Sequence, residues 1–140
     1  MSLSAFLAQN VRKVENERFV ASKRFTENGT PVEWEIRALS GAECDAIRDQ
    51  CVERVPVPGR KGMFQSETNF PKYVAGLAAA ATVFPNLDDA ELQDSWGVRS
   101  SVELLRKMLT AGEYGDYVDK VQAVCGFDAD MESRKEEAKN

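Results

Sequence analysis

Histidine is absent from this chain of 140 residues. It is the commonest general base of enzymes, the commonest metal ligand, and the usual partner of a serine or cysteine nucleophile. Its absence excludes hydrolytic triads and zinc catalysis. We therefore expect no catalytic residues, and we predict that the protein is not an enzyme.

An excess of basic residues and a long hydrophobic run are also missing. The 18 Lys and Arg residues are outnumbered by 23 Asp and Glu residues, and the net charge of −5 would repel a nucleic acid backbone. The longest apolar stretch, residues 73–84, is shorter than the ~20 residues of a membrane span. The first residues lack the basic and apolar regions of a signal peptide. We predict a cytoplasmic protein that binds neither nucleic acid nor membrane.

Patterned cysteines and metal-binding spacings are missing as well. Cys44, Cys51 and Cys125 form an odd set without C-x-x-C spacing, which argues against a disulfide framework or a zinc site. We interpret them as small buried hydrophobic residues. The acidic residues between 88 and 94 do not follow the ligand spacing of a calcium loop. We interpret them as helix-capping residues, and we predict no metal and no cofactor.

The composition that remains is that of one globular domain. Hydrophobic residues make up 43% of the chain and charged residues 29%, close to the averages for folded proteins. We predict an α+β fold, mainly α, in which an N-terminal β-hairpin precedes a bundle of about five short helices. Residues 1–16 are predicted to form an arm or a short helix, residues 17–127 a single globular domain, and residues 128–140 a flexible tail.

The hairpin is predicted for residues 17–38. Apolar and charged residues alternate strictly from Val32 to Ala38, and the preceding Asn28-Gly29 pair suits a tight turn. Period-two alternation places the apolar residues on one face of the strand. The pattern therefore predicts a β-hairpin with one apolar face.

Capping residues predict where the helices begin. Ser40 and Glu43 have the spacing of a capping box, and Asn69 precedes an Ala-rich helix that allows close approach by its neighbours. The stretch from residue 55 to 69 contains Pro and Gly without periodicity, so we predict a mobile loop there. The five predicted helices span residues 41–54, 70–84, 88–96, 101–110 and 112–125.

Aromatic residues are candidates for binding or for the core. On amphipathic elements such residues are more often core, but the hairpin face and the Tyr stripe of the last helix provide more apolar area than five short helices need. A surplus of this kind typically marks a protein-binding surface. The residues alone thus predict an interaction module, with four candidate contact residues: Trp34, Ile36, Tyr114 and Tyr117.

Several blocks of the sequence resemble one protein family. The most specific block is Pro-Asn-Leu followed by acidic residues and Gln-Asp-Ser-Trp-Gly, and it leads into a Leu-Leu-Arg-Lys-Met-Leu helix and a Gly-Glu-Tyr turn. In this order, the chain resembles the XkdN-like tail assembly chaperones of contractile-tailed phages and PBSX-type prophages over essentially its whole length. The matching blocks are MSLSAFLAQNV (1–11), VEWEIRALSGAE (32–43), FPNLDDAELQDSWGV (84–98), SSVELLRKMLTAGEYGDYVDKVQAVCGFD (100–128) and EEAKN (136–140).

The resemblance implies a host-cytoplasmic protein that keeps the tape measure protein soluble while tail tube subunits polymerise around it, and that is absent from the virion. Such binding must be reversible, so Met63, Phe64 and Met108 become candidate adaptable contacts. The resemblance also implies contact with the tail tube protein, self-association into a homo-oligomer, and an extended form made by programmed frameshifting. Codons for residues 138–140 allow a slippery heptamer, although a random polar tail is an equal alternative.

Two other functions stay open at this stage. A generic interaction adaptor would use the same hairpin and helices, and a structural tail component would remain in the particle. Solubilisation of the tape measure protein on co-expression separates the chaperone from the adaptor. Mass spectrometry of purified virions separates it from the structural component.

Overall fold

A computed structural model describes residues 2–127. Within this range the fold is α+β, as predicted, with five α-helices and several short strands. The helices are α1 (Gly41–Gln50), α2 (Phe70–Ala81), α3 (Ala90–Trp96), α4 (Ser101–Met108) and α5 (Ala111–Val124). The strands are β1 (Glu17–Phe19), β2 (Thr26–Glu27), β3 (Thr30–Pro31), β4 (Trp34–Ile36), β5 (Val52–Pro56), β6 (Phe64–Thr68) and β7 (Thr82–Phe84).

Side-chain caps begin all five of these helices. Each capping oxygen accepts a hydrogen bond from the backbone N–H three residues later, which satisfies a donor that the helix leaves without a partner. The predicted caps at Ser40 and Asn69 are confirmed, and Gly97 ends α3 in the left-handed region with φ of 69°. The cap residues are Ser40, Asn69, Asp89, Ser100 and Thr110.

The main sheet has three antiparallel strands in the order β1-β4-β7. The prediction of strands confined to one N-terminal hairpin is therefore wrong, because strand is spread along the chain. β2 and β3 pair around the turn at Asn28-Gly29, whose φ values are 53° and 79°, whereas β4 pairs on one side with β1 and on the other with β7. The third strand comes from beyond α2, so no local pattern could indicate that it pairs with β4.

Residues 41–69 differ most from the sequence prediction. α1 ends at Gln50 instead of residue 54, and the predicted loop 55–69 is largely a second antiparallel hairpin, β5–β6. We call this hairpin the ribbon. Its turn includes Gly59 and Gly62, both with φ near 76°. Because most residues on both faces of the ribbon are exposed, the sequence has no period-two apolar alternation there to reveal it.

The Ala-rich helix α2 ends at Ala81, three residues before the predicted end. Thr82, Val83 and Phe84 are β-branched or aromatic and lie directly before Pro85, which disfavours helix and favours extended backbone. They join β4 instead, and the Arg37 backbone N–H donates to the Ala81 carbonyl at 2.9 Å. Residues 82–84 therefore form the third strand of the sheet instead of the last turn of α2.

The core lies between the inner face of this sheet and helices α2, α4 and α5. Trp34 and Ile36 point inward from β4, and Tyr117 and Val121 meet them from α5. At Gly76, α2 comes so close to α1 that an added Cβ would lie 2.8 Å from Ile47 Cγ2. The predicted close approach to the Ala-rich helix is thus confirmed.

The two ends of the chain differ from the core. Residues 2–18 are exposed, and their helical content is one 3-10 turn, Ser4–Phe6. The predicted tail 128–140, including the residues considered for frameshifting, lies outside the described residues. Among the helices of residues 2–127, none is long and apolar enough to cross a bilayer.

Candidate partner-binding groove

An open groove lies where the base of the β2–β3 hairpin meets the end of β7 and the C-terminus of α4. Its volume is about 370 Å³, at the lower end of the range for ligand pockets. Most of its lining is aromatic or aliphatic. We call it the aromatic groove, and its lining residues are Arg24, Phe25, Thr26, Val32, Trp34, Phe84, Pro85 and Met108.

The floor of the aromatic groove is rigid because it is the outer layer of the core. Trp34 is only 2% exposed, and its ring contacts Tyr117 edge-on at a centroid distance of 5.1 Å and Phe25 at 6.2 Å. Phe25 in turn packs on Trp96 at 6.3 Å. Tilted and edge-on aromatic pairs of this kind hold one another in fixed orientations. The packed core beneath the floor therefore holds it in one shape.

Arg24 forms the polar wall of the aromatic groove, and its charge is already satisfied. One guanidinium nitrogen donates to the Met108 carbonyl and to Glu113 Oε1, both at 2.7 Å. The hydrogen bond from Arg24 is the largest cause that lowers the pKa of Glu113 to about 2, followed by hydrogen bonds from Ser22 and the Thr110 backbone. Arg24 thus fastens the hairpin to the α4–α5 junction.

Phe84 forms the exposed rim of the aromatic groove. Its side chain is 53% exposed, although it belongs to a strand in a packed sheet. A register shift between Glu35 and Ile36 places Phe84 opposite Glu35, which pairs with Arg18 on its other side. Because Ile36 points into the core, this row lies on the outer face of the sheet. Phe84 therefore separates the aromatic groove from a shallow polar face that also includes Glu33.

The structure distributes the sequence-predicted contact residues over three places. Trp34 and Met108 line the aromatic groove. Ile36 and Tyr117 have no exposed surface, and Tyr114 is partly buried, which raises its pKa. Met63 and Phe64 are exposed on the ribbon. The exposed apolar hairpin face expected around Trp34 does not exist in the free chain, because α5 covers it.

Phe25 and Phe84 are groove residues that the sequence reasoning did not select. Phe25 precedes a turn outside the alternating run, and Phe84 was predicted to end a helix. One local indication was present for Phe84: an aromatic residue directly before Pro85 in a Thr-Val-Phe-Pro segment favours an extended strand end over a helix. Its position beside Trp34 depends on long-range pairing and had no local indication.

The groove is suited to contact and not to acid–base chemistry. Its only ionisable side chain is Arg24, whose guanidinium is engaged by Glu113 and can donate hydrogen bonds but not accept them. Across residues 2–127, no group of three or more potential Cys, Asp or Glu ligands is arranged to hold a metal ion. The fold and groove together define a small α+β protein with a mostly apolar groove on its surface.

The chain matches one known protein family over nearly its whole length. Residues 3–139 match the family model described as phage XkdN-like tail assembly chaperone protein. Because the match spans nearly the whole chain, the protein belongs to that family. The relationship predicted from the Pro-Asn-Leu and Leu-Leu-Arg-Lys-Met-Leu blocks is confirmed.

Two proteins of Bacillus subtilis strain 168 are similar over 140 residues, which is 99% of this chain and 93% of each relative. The uncharacterized protein YqbN is 29% identical, and the phage-like element PBSX protein XkdN is 24% identical. A crystal structure of YqbN has the same fold, with a TM-score of 0.77 at 23% identity over 91% of this chain and 98% of that chain.

Proposed function

We propose that this protein binds the tape measure protein of its phage or prophage in the host cytoplasm, and keeps it soluble until tail tube subunits enclose it. The family description supports a role in tail assembly. The single structural observation that carries the proposal is the aromatic groove, which presents the half-exposed Phe84 beside a rigid Trp34 floor in the free chain. A free apolar groove of this kind supplies a docking site.

The size of the groove fits an amphipathic helix as the client. A volume of about 370 Å³ has room for roughly two or three aliphatic side chains, about the number that a narrow apolar stripe of a helix presents over two turns. A tape measure protein is a long helical chain whose apolar stripes stay uncovered until the tube surrounds it. A small groove binds such a stripe without permanent burial, so an assembling tube could displace it.

Solubilisation on co-expression is the direct test of the function. The full chain and the tape measure protein of the same genome are produced together, and the soluble fraction of the tape measure protein is measured with and without the chaperone. We expect the chaperone to move the client into the soluble fraction. If the client stays insoluble, or is soluble alone, the proposed function is wrong. Absence of the chaperone from purified virions, measured by mass spectrometry, separates it from a retained structural component.

A matched pair of variants tests whether the aromatic groove is the site. Phe84→Ala removes its rim, and Phe64→Ala removes an equally exposed aromatic residue, 52% against 53%, on the ribbon. We expect Phe84→Ala to weaken client binding roughly tenfold and Phe64→Ala to leave it unchanged, with both variants folded by circular dichroism. The reverse order of effects would move the site to the ribbon.

A further inference from the structure

The ribbon carries two carboxylates that face each other. Glu53 on β5 is paired directly with Glu67 on β6, so both side chains lie on the same face of the hairpin. The Asn69 side-chain amide donates to Glu53 at 3.1 Å. Within residues 2–127 neither carboxylate forms a salt bridge. Two like charges directly across a strand pair repel each other, and a cation placed between them would remove that repulsion.

These carboxylates border an apolar groove at the base of the ribbon. Its volume is about 330 Å³, and the Phe70 ring that lines it is 62% exposed. An exposed aromatic face next to two carboxylates suits a cationic side chain that is flanked by aliphatic groups. We call this the acidic groove, and its lining residues are Glu53, Val55, Glu67, Thr68, Asn69, Phe70 and Pro71.

The N-terminal arm carries the complementary pattern. Arg12 and Lys13 are adjacent cations between Val11 and Val14, and both valines are more than half exposed. Like the two glutamates, these cations form no salt bridge among residues 2–127. A four-residue segment with two cations between two aliphatic side chains therefore matches a groove with two anions between aliphatic and aromatic side chains.

We infer that residues 11–14 of one copy dock in the acidic groove of a second copy, and that the exchange is reciprocal. Charge complementarity selects this groove over the shallow outer face of the sheet, where Arg18 lies opposite Glu35 in the strand register and offsets part of the negative charge of Glu33 and Glu35. A reciprocal exchange is an isologous contact, so each dimer gains two arm–groove contacts and the assembly closes at two copies. The contact is separate from the aromatic groove, so it stands or falls independently of the proposed function.

A charge swap between two variants tests the inference on the full chain. One variant has a reversed arm, Arg12→Glu with Lys13→Glu, and the other has a reversed groove, Glu53→Lys with Glu67→Lys. Each variant alone has arm and groove of like charge, whereas a mixture offers each arm a groove of opposite charge. Sedimentation velocity should show a dimer for the wild type that weakens with added salt. The dissociation constant of each variant alone should be roughly tenfold larger, and the equimolar mixture should regain the dimer.

Mixing also controls for misfolding, because two misfolded variants would not regain a dimer when they are combined. A wild type that stays monomeric at every accessible concentration overturns the inference, as does a dimer that neither reversal weakens. A mixture no more associated than its components overturns it too, provided circular dichroism shows both variants folded.

Zero-length crosslinking distinguishes exchange between copies from docking of the arm on its own chain. Natural-abundance and heavy-nitrogen chains are mixed and treated with a carbodiimide, which joins a lysine amine to a carboxylate only in direct contact. We expect peptides that join Lys13 to Glu53 or Glu67 and contain one light and one heavy partner. If these crosslinks occur only within chains of one isotope, the arm binds in cis and the exchange is wrong.

Discussion

The molecule contains two short antiparallel strand arrangements that have opposite surroundings. The β1-β4-β7 sheet covers its inner face with α5 and places Trp34 and Ile36 in the core, whereas the ribbon exposes most of its residues on both faces. The central strand of the first, β4, lies in a segment that alternates strictly, whereas the ribbon shows no such alternation. Strict alternation therefore accompanies a strand that has a helix packed on one face. The alternation around Trp34 led to the prediction of a protein-binding face, but α5 covers most of that face.

The largest expected effect comes from truncating the covered face. Trp34→Ala removes a buried ring that contacts Phe25 and Tyr117, and we expect it to lower the free energy of unfolding by about 3–5 kcal/mol. Phe64→Ala on the ribbon should change it by less than about 0.5 kcal/mol. Urea unfolding followed by circular dichroism measures both values. Similar losses in the two variants would show that the ribbon is as well packed as the sheet.

Two glycines on helices extend the comparison from strands to helices. Gly76 faces Ile47, and an added Cβ would lie 2.8 Å from its Cγ2, whereas Gly115 on α5 has nothing within 4 Å. Gly76→Ala should therefore lower the free energy of unfolding by about 1–3 kcal/mol through overpacking. Gly115→Ala should raise it by about 0.5–1 kcal/mol through helix propensity. Thermal unfolding of both variants checks the opposite signs, and equal signs would contradict the close contact.

The buried hydroxyl of Tyr117 forms a hydrogen bond behind the covered face of the sheet. It lies 2.5 Å from Thr82 Oγ1, and Thr82 donates its proton to the Ala78 carbonyl at 2.7 Å, so Tyr117 donates to Thr82. Tyr117→Phe leaves that oxygen with one donor fewer, which should cost about 1 kcal/mol at neutral pH.

Burial of Tyr117 also makes the free energy of unfolding depend on pH in the alkaline range. Burial raises its pKa from 10.0 to about 12. Between these values the folded chain keeps a proton that the unfolded chain loses, so the free energy of unfolding decreases as the pH rises from 10 to 12. Tyr117→Phe should make this decrease smaller in urea unfolding at successive pH values. An unchanged decrease would show that Tyr117 does not titrate with folding.

The smallest expected effect is the acid dependence contributed by Glu113. Arg24 and the Thr110 cap hold its pKa at about 2, below the ordinary 4.5, so its contribution is present above pH 4.5 and is lost as the pH falls toward 2. Glu113→Gln should make the acid loss of stability smaller without abolishing it, because the pKa of Glu43 is also lowered to about 2 by Arg37. Unfolding midpoints measured down the acid range test this, and identical acid curves for variant and wild type would contradict it.

Local chemistry made the helix starts predictable. Ser40 and Asn69 each cap a helix through a backbone N–H three residues away, an interaction that needs no other part of the fold. The ends were less predictable: α1 stops at Gln50 and α2 at Ala81, because the residues that follow find strand partners. For β7 the partner strand is β4, which lies more than forty residues earlier in the chain.

The candidate groove was only half predictable. Trp34 and Met108 were selected for their chemistry, and the structure brings both to the aromatic groove. Phe84 was missed, because its place at the rim depends on a register shift in the β4–β7 pairing. Whether an aromatic residue is exposed depends on which segments pack over it, and those segments lie far away in the sequence.

Family membership, the mainly helical α+β class and the helix caps at Ser40 and Asn69 are predictable from the residues alone, because caps, turn residues and family blocks act over a few neighbouring residues. Three outcomes depend instead on packing: which apolar faces are covered, that β7 completes the sheet, and that residues 52–68 form an exposed ribbon. These outcomes depend on contacts between segments far apart in the chain, whose geometry is settled when the helices and strands pack together.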